Sequence, residues 1–257
     1  MPSYRAEAIV LRTHKLGEAD RIITFLTRER GKVRAVAKGV RRTKSRFGAR
    51  LEPFSRVDLL LHEGKNLDII TQAESLNAYG QDLAIDYSLW TAGQTMLETA
   101  DRLTSETSVS SEAQYLLLVG ALRTLVSGEH DATLVLNAYL LRALSMAGYS
   151  PSLDACIVCG SAGVQPFFHV PSGGALCFEH RVPGSVAPKI ESIQIMQALL
   201  QGDWQTADQA NSAQLNEVSG LVAAFAQWHM EKSLRSLPLV DRTSPDKSTF
   251  DKTHQNS

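Results

Sequence analysis

The feature that most narrows the fold is a change of hydrophobic period near Gly80: apolar residues recur at every second position before it and at every third or fourth after it. Period two places side chains alternately on the two faces of a strand, and a period of 3.6 places them along one stripe of a helix. In the first part, Tyr4 to Leu11, Lys32 to Lys38, Arg56 to His62 and Leu67 to Thr71 read as short strands, and Val57, Leu59 and Leu61 share one face. Arg30-Gly31-Lys32 and Glu63-Gly64-Lys65-Asn66 supply turns between them. Four or five short strands in about 75 residues fit a small closed barrel, with the OB-fold a candidate because it manages its sheet edges by closure.

Beyond Gln81 the repeats lengthen. Leu83, Tyr87, Trp90, Thr91, Gln94, Leu97 and Leu103 outline one helix; Ala113 to Val126 and Asp131 to Ala147 predict two more, with Gly128 and Gly148 as stops. Ile190 to Leu200 and Leu215 to Leu237 complete a bundle whose Leu and aromatic stripes read as packed core. The expected fold is therefore α+β: an N-terminal β-barrel over residues 1–80, a helical domain over 81–240 with a cysteine-bearing insertion at 151–183, and a disordered tail over 241–257 that holds Phe250 as its one large apolar residue.

Charge divides at the same place. The chain of 257 residues carries a formal net charge of −1, but residues 1–80 carry +7 and the remainder −8. Arg28 to Arg50 holds ten basic residues and one acid, Glu29. Within it, Lys38-Gly-Val-Arg41-Arg42-Thr-Lys44-Ser-Arg46-Phe47 is polar and aperiodic, so it reads as an exposed loop. Scattered surface charges usually alternate in sign; six cations from Lys38 to Arg50 without an acid point instead to a polyanion. Arg34, Lys38, Arg41, Arg42, Lys44, Arg46 and Arg50 are the candidate nucleic-acid contacts, and backbone phosphate contact predicts little base preference. Phe47 and Phe54 are available for base stacking, although a lone Phe beside a strand is more often core.

The three cysteines are too few for a disulfide framework. Cys156-x-x-Cys159, 17 intervening residues, and Cys177-x-x-His180 have the spacing of a tetrahedral Cys₃His site for one structural Zn²⁺. Four protein ligands leave no position for a reactive water, and His169 is a reserve ligand. Glu18 and Asp20 would be weak candidates for a Mg²⁺-dependent nuclease, since two acids near a turn are usually surface residues. The chain has no Gly-x-x-x-x-Gly-Lys-Ser/Thr loop, no Gly-x-Gly-x-x-Gly, no His-Glu-x-x-His and no Gly-x-Ser-x-Gly. With no span-length apolar run and no signal-like start, the expected location is the cytoplasm, on the nucleoid and away from membranes.

In order along the chain, several patterns together resemble the RecO family of bacterial DNA repair proteins. They are Arg5-Ala-Glu-Ala-Ile-Val-Leu11 with Leu16-Gly-Glu18-Ala-Asp20, Ala37-Lys38-Gly39-Val-Arg41-Arg42-Thr-Lys44-Ser45 with Leu51-Glu-Pro53-Phe54, Ala147-Gly148 through Cys156 and Cys159-Gly160 to Gly173-Gly174-Ala-Leu-Cys177, and Ser233 to Leu237. The resemblance implies an N-terminal OB-fold, a helical domain and a zinc motif. It also implies a recombination mediator without enzymatic turnover, which binds single- and double-stranded DNA, anneals complementary strands, and acts with RecR and the single-stranded-DNA-binding protein to help load RecA. His180 departs from the family's usual fourth cysteine but is a competent zinc ligand. The negative helical domain suits protein partners, and the acidic tail of the single-stranded-DNA-binding protein would need a local apolar and basic pocket there, near Arg123, Arg142 or Lys232 to Arg235. The alternative reading is a zinc-ribbon factor of transcription or translation whose barrel binds RNA or DNA.

Overall fold

The computed structural model describes residues 2–104, 111–230 and 240. Five strands, β1 (Ser3–Leu16), β2 (Asp20–Thr27), β3 (Gly31–Ala37), β4 (Ser55–His62) and β5 (Asp68–Ala78), close into a barrel in the order β1-β2-β3-β5-β4. All neighbours are antiparallel except β3 and β5, which meet in parallel over two residue pairs, Ala35 with Asp68 and Val36 with Ile69. This seam is the barrel's shortest. Ala8, Val10, Ile23, Phe25, Leu59 and Ile70 fill the interior, and Phe47 and Leu51, around a 3-10 turn at Gly48–Leu51, join the same core.

The strands extend beyond those read from alternation in two places. The chain from Asp20 to Thr27 is a strand although it lacks alternation, because β2 is covered on both sides. Ile23 and Phe25 point into the barrel, whereas Leu26, with Ile9 and Leu11 of β1, belongs to the core of the helical part. Strands buried on both faces read as continuous apolar runs. The strand that starts after Leu67 also runs on to Ala78, its second half exposed.

The helices are α1 (Tyr79–Leu83), α2 (Tyr87–Leu103), α3 (Ser111–Ser127), α4 (Ala132–Met146), α5 (Ile190–Gln201), α6 (Trp204–Ala207) and α7 (Ser212–His229). Asp86 divides the first helical pattern in two by capping α2, accepting hydrogen bonds from the Ser88 and Leu89 N–H groups. The α4 helix is central and packs against α2, α3, α5 and α7, with Leu134, Tyr139, Leu140 and Leu144 buried. Tyr87 and Trp228 of the expected stripes face solvent instead. The proposed tail at 241–257 and the continuation of the last helix to Leu237 lie outside the described residues. Among those residues no helix is long and apolar enough to cross a membrane.

An ion-paired network fastens barrel to helices. Glu7 of β1 accepts from the Tyr115 hydroxyl at 2.6 Å and from Arg56 Nε at 2.7 Å, and Arg28 approaches it from β2's end at 3.8 Å while donating to Glu112 of α3 at 2.9 Å. Burial opposes ionisation of Glu7, but the Tyr115 and Arg56 hydrogen bonds and the charges of Arg56 and Arg28 outweigh it, so the carboxyl sits below its ordinary range. Burial and the Glu7 contact raise the Tyr115 hydroxyl.

Candidate nucleic-acid interface and metal centre

The basic residues of the barrel separate into two populations. Several on or next to the strands are paired: Arg21 with Glu52 at 2.6 Å, Arg30 with Glu63 at 2.8 Å, Lys32 with Asp101 at 3.3 Å and Arg28 with Glu112. By contrast Arg34, Lys38, Arg41, Arg42, Lys44, Arg46 and Arg50 are all exposed, and none has a carboxylate partner among the described residues. Local backbone geometry holds the loop. Asp20 accepts the Gly39 N–H at 2.7 Å, the Arg41 N–H donates to the Ala19 carbonyl at 2.9 Å, and the Arg41 side chain donates to the Glu18 carbonyl at 2.9 Å. Asp20 is thereby a loop anchor rather than half of a Mg²⁺ site. The two phenylalanines are no stacking platform: Phe47 and Phe54 are 1% and 0% exposed, the first in the barrel core and the second edge-on to Trp90.

Between α4 and α5 the chain forms a hairpin, β6 (Phe167–His169) with β7 (Gly174–Leu176), and a turn that brings the four predicted ligands together. One ligand atom each from Cys156, Cys159, Cys177 and His180 lies within 4.8 Å of all the others. Cys159 Sγ is 4.0 Å from Cys177 Sγ, which is 3.1 Å from His180 Nδ1. A tetrahedron with metal–sulfur arms of about 2.3 Å has edges of roughly 3.8 Å, so this donor set fits a metal ion of zinc's size and softness. Gly160 makes the turn possible: at φ +70° it occupies the left-handed region that a side chain resists, and its N–H closes the turn onto the Cys156 carbonyl at 2.8 Å. Gly174 has no room for a side chain, since a Cβ there would meet Ser152 at 2.8 Å.

The site is also electrostatically prepared. Backbone N–H groups, first that of Cys159 and then those of Cys177 and Val158, bring the Cys156 thiol down to about 6 against the opposing effect of burial. The Ser161 N–H favours the Cys159 thiolate, yet desolvation and the neighbouring Cys156 and Cys177 sulfurs raise this second thiol overall. A bound cation relieves that crowding of sulfurs. His169 stands apart, bonded through Nδ1 to Ser172 Oγ at 2.7 Å. The knuckle is fixed to the bundle through Phe168, buried against Phe225, and through Gln197, which donates to the Leu153 carbonyl at 2.9 Å.

The N-terminal family model, "Recombination protein O N terminal", matches residues 1–79, and the C-terminal model, "Recombination protein O C terminal", matches residues 85–238. The chain belongs to the RecO family. It is 57% identical over 242 residues to the DNA repair protein RecO of Nocardioides sp., spanning 93% of this chain and 99% of that one. The RecO of Thermobifida fusca is 54% identical over 242 residues and that of Streptomyces coelicolor 53% over 248, each covering 94% of this chain and 100% of its own.

A further concavity of this RecO-family chain lies in the helical part. Arg123 of α3 and Arg142 of α4 line it together with Leu116, Gly120, Tyr139 and Trp204. Arg142 Nε donates to the Leu199 carbonyl at 3.0 Å, while its Nη2 and the Tyr139 hydroxyl are buried with no partner among the described residues. Burial lowers the Arg142 guanidinium from its ordinary value. Lys232 to Arg235, the other predicted basic stretch, lies outside the described residues.

Proposed function

We propose that this chain is a recombination mediator in DNA repair that binds single- and double-stranded DNA and anneals complementary strands without turnover. The observation that carries the reading is the set of seven exposed cations on the barrel of a RecO-family chain that have no carboxylate partner among the described residues. In this reading residues 1–80 form an OB-fold domain and residues 81–240 a helical partner-binding domain. Arg34, Lys38, Arg41, Arg42, Lys44, Arg46 and Arg50 neutralise phosphates of one strand and release its counterions, which lowers the repulsion a complementary strand meets. Pairing energy then drives annealing, and no nucleotide is consumed. Family membership favours this over a zinc-ribbon factor that binds RNA.

Cys156, Cys159, Cys177 and His180 would hold one Zn²⁺ per chain. The ion's contribution is structural: it fixes the knuckle between α4 and α5 with four protein ligands. The concavity at Arg123 and Arg142 would receive the acidic tail of the single-stranded-DNA-binding protein, whose carboxylates suit the exposed Arg123 and the charge of Arg142 and whose apolar residues suit Leu116 and Trp204. With RecR, the complex would then help load RecA on the nucleoid.

The test is annealing of two complementary oligonucleotides coated with the cognate single-stranded-DNA-binding protein, without nucleotide, across a salt series. The expected result is acceleration that fades as salt rises; no acceleration at any salt, with naked strands still bound, would refute the mediator reading. Metal analysis of the purified chain should return about one Zn²⁺ by the four-ligand count.

A further inference from the structure

The barrel has an edge along β5 that no strand covers among the described residues. From Ile70 onward β5 pairs with β4 on one side, and among the described residues no strand pairs with its other side, because β3 ends at Ala37, one position after its last parallel pair with β5. Natural sheets blunt long edges with charged side chains, proline, bulges or a covering element. Here Ile70-Thr-Gln-Ala-Glu-Ser-Leu-Asn-Ala78 contains neither lysine nor proline; it carries Glu74, is bulged against β4 at Thr71 and Leu76, and meets the 3-10 turn at Gly48–Leu51, so the open stretch is the short one from Gln72 to Ser75. Alternate residues along it direct backbone N–H and C=O groups away from β4.

What faces this edge is the basic loop. A groove runs between Thr71–Ser75 on one side and Arg46, Phe47 and Arg50 on the other. Both arginines are held in place: the Arg46 guanidinium lies over the Phe47 ring at 4.8 Å, and Arg50 donates to the Arg46 carbonyl at 3.0 Å. Glu74 is the groove's single acid, so its lining is net positive.

We propose that this edge is a docking site for an extended acidic polypeptide segment, which adds as a strand in the place β3 leaves at Ala37 and lays its carboxylates against Arg46 and Arg50. A strand edge offers donors and acceptors at the repeat of a peptide backbone, which a nucleic acid does not share, so the edge selects polypeptide and the arginines select acidic sequence. Because Arg46 and Arg50 are also assigned to phosphate, peptide and DNA exclude one another; only this competition rests on the DNA-binding reading. The site would thus let an acidic partner strip the mediator from DNA, or DNA release the partner.

The experiment uses the full-length, metal-loaded chain and a fluorescent octapeptide of alternating Val and Glu with blocked ends. Parallel titrations use the same peptide with N-methyl groups at every second residue, in both registers, and a Val-Lys counterpart. Saturable binding of the Val-Glu peptide, at least tenfold weaker for one N-methylated register and for Val-Lys, with slowed amide exchange within residues 70–75 and displacement by a single-stranded oligonucleotide, is the expected result. Equal affinity for both N-methylated forms, protection elsewhere in the chain, or a dimer that protects residues 70–75 without peptide would overturn it, the last in favour of a second copy. Should the chain bind the peptide in this way and no DNA, the docking site stands and the DNA reading falls.

Discussion

Five cations on or beside the barrel's strands and those of its loop are the same two residue types used in opposite ways, with Arg34 of β3 siding with the loop. Arg21, Arg28, Arg30, Lys32 and Arg56 each end against a carboxylate, several of them far away in sequence, as Lys32 to Asp101 and Arg56 to Glu7. Their charge is spent inside the molecule, closing the barrel and fastening it to α2 and α3. Lys38 to Arg50 lie over a turn of chain held by backbone contacts, and their charge is left to solvent. Local density of basic residues therefore does not separate cations paired within the fold from cations left without a carboxylate partner among the described residues.

The comparison is sharpened first by reversing the loop. Arg41→Glu, Arg42→Glu and Lys44→Glu together should weaken single-strand binding on the order of 100-fold at low salt, read by fluorescence anisotropy, with the melting temperature nearly unchanged. On the paired side, Arg56→Ala removes from Glu7 and Tyr115 the cation that hydrogen-bonds them at the barrel–helix junction and leaves Glu7 only the more distant Arg28. It should cost about 2 kcal/mol of stability in denaturant unfolding and leave DNA affinity within about threefold. The same network predicts a pH dependence. Glu7 is held below its ordinary 4.5, so its contribution is full above that value and disappears as pH falls through the lower folded-state value; Glu7→Gln should flatten the melting-temperature profile in that acid window. The smallest effect belongs to the exposed pair Arg30–Glu63, where Arg30→Ala should change stability by less than about 1 kcal/mol.

What the sequence disclosed follows the range of the interactions involved. The clustering of Cys156, Cys159, Cys177 and His180 was legible because they lie in two x-x pairs, and local chemistry at Gly160 and Gly174 helps draw them together. The α4 helix was legible because a central bundle helix carries its apolar residues at helical spacing. β2 was not, since the helical part covers the face that would have shown polar residues, and Ile22 to Thr27 lost the alternation that marks a strand. Nor could the pairing of cations be read, because Lys32 and Asp101 meet only when barrel and α2 have packed. That Lys38 to Arg50 differ in pairing from Arg28, Arg30 and Lys32 required the fold.

The most direct test of the central claim compares the salt dependence of single-strand binding for the wild-type chain, the Arg41→Glu, Arg42→Glu and Lys44→Glu variant, and an Arg21→Ala, Arg28→Ala and Arg30→Ala variant. Each lost single-strand phosphate contact reduces the slope of log affinity against log salt by about 0.7, so the loop variant should be shallower by about 2 and the strand variant should match wild type. Equal slopes for wild type and the loop variant, or a larger drop in the strand variant, would contradict the assignment of the unpaired cations to phosphate.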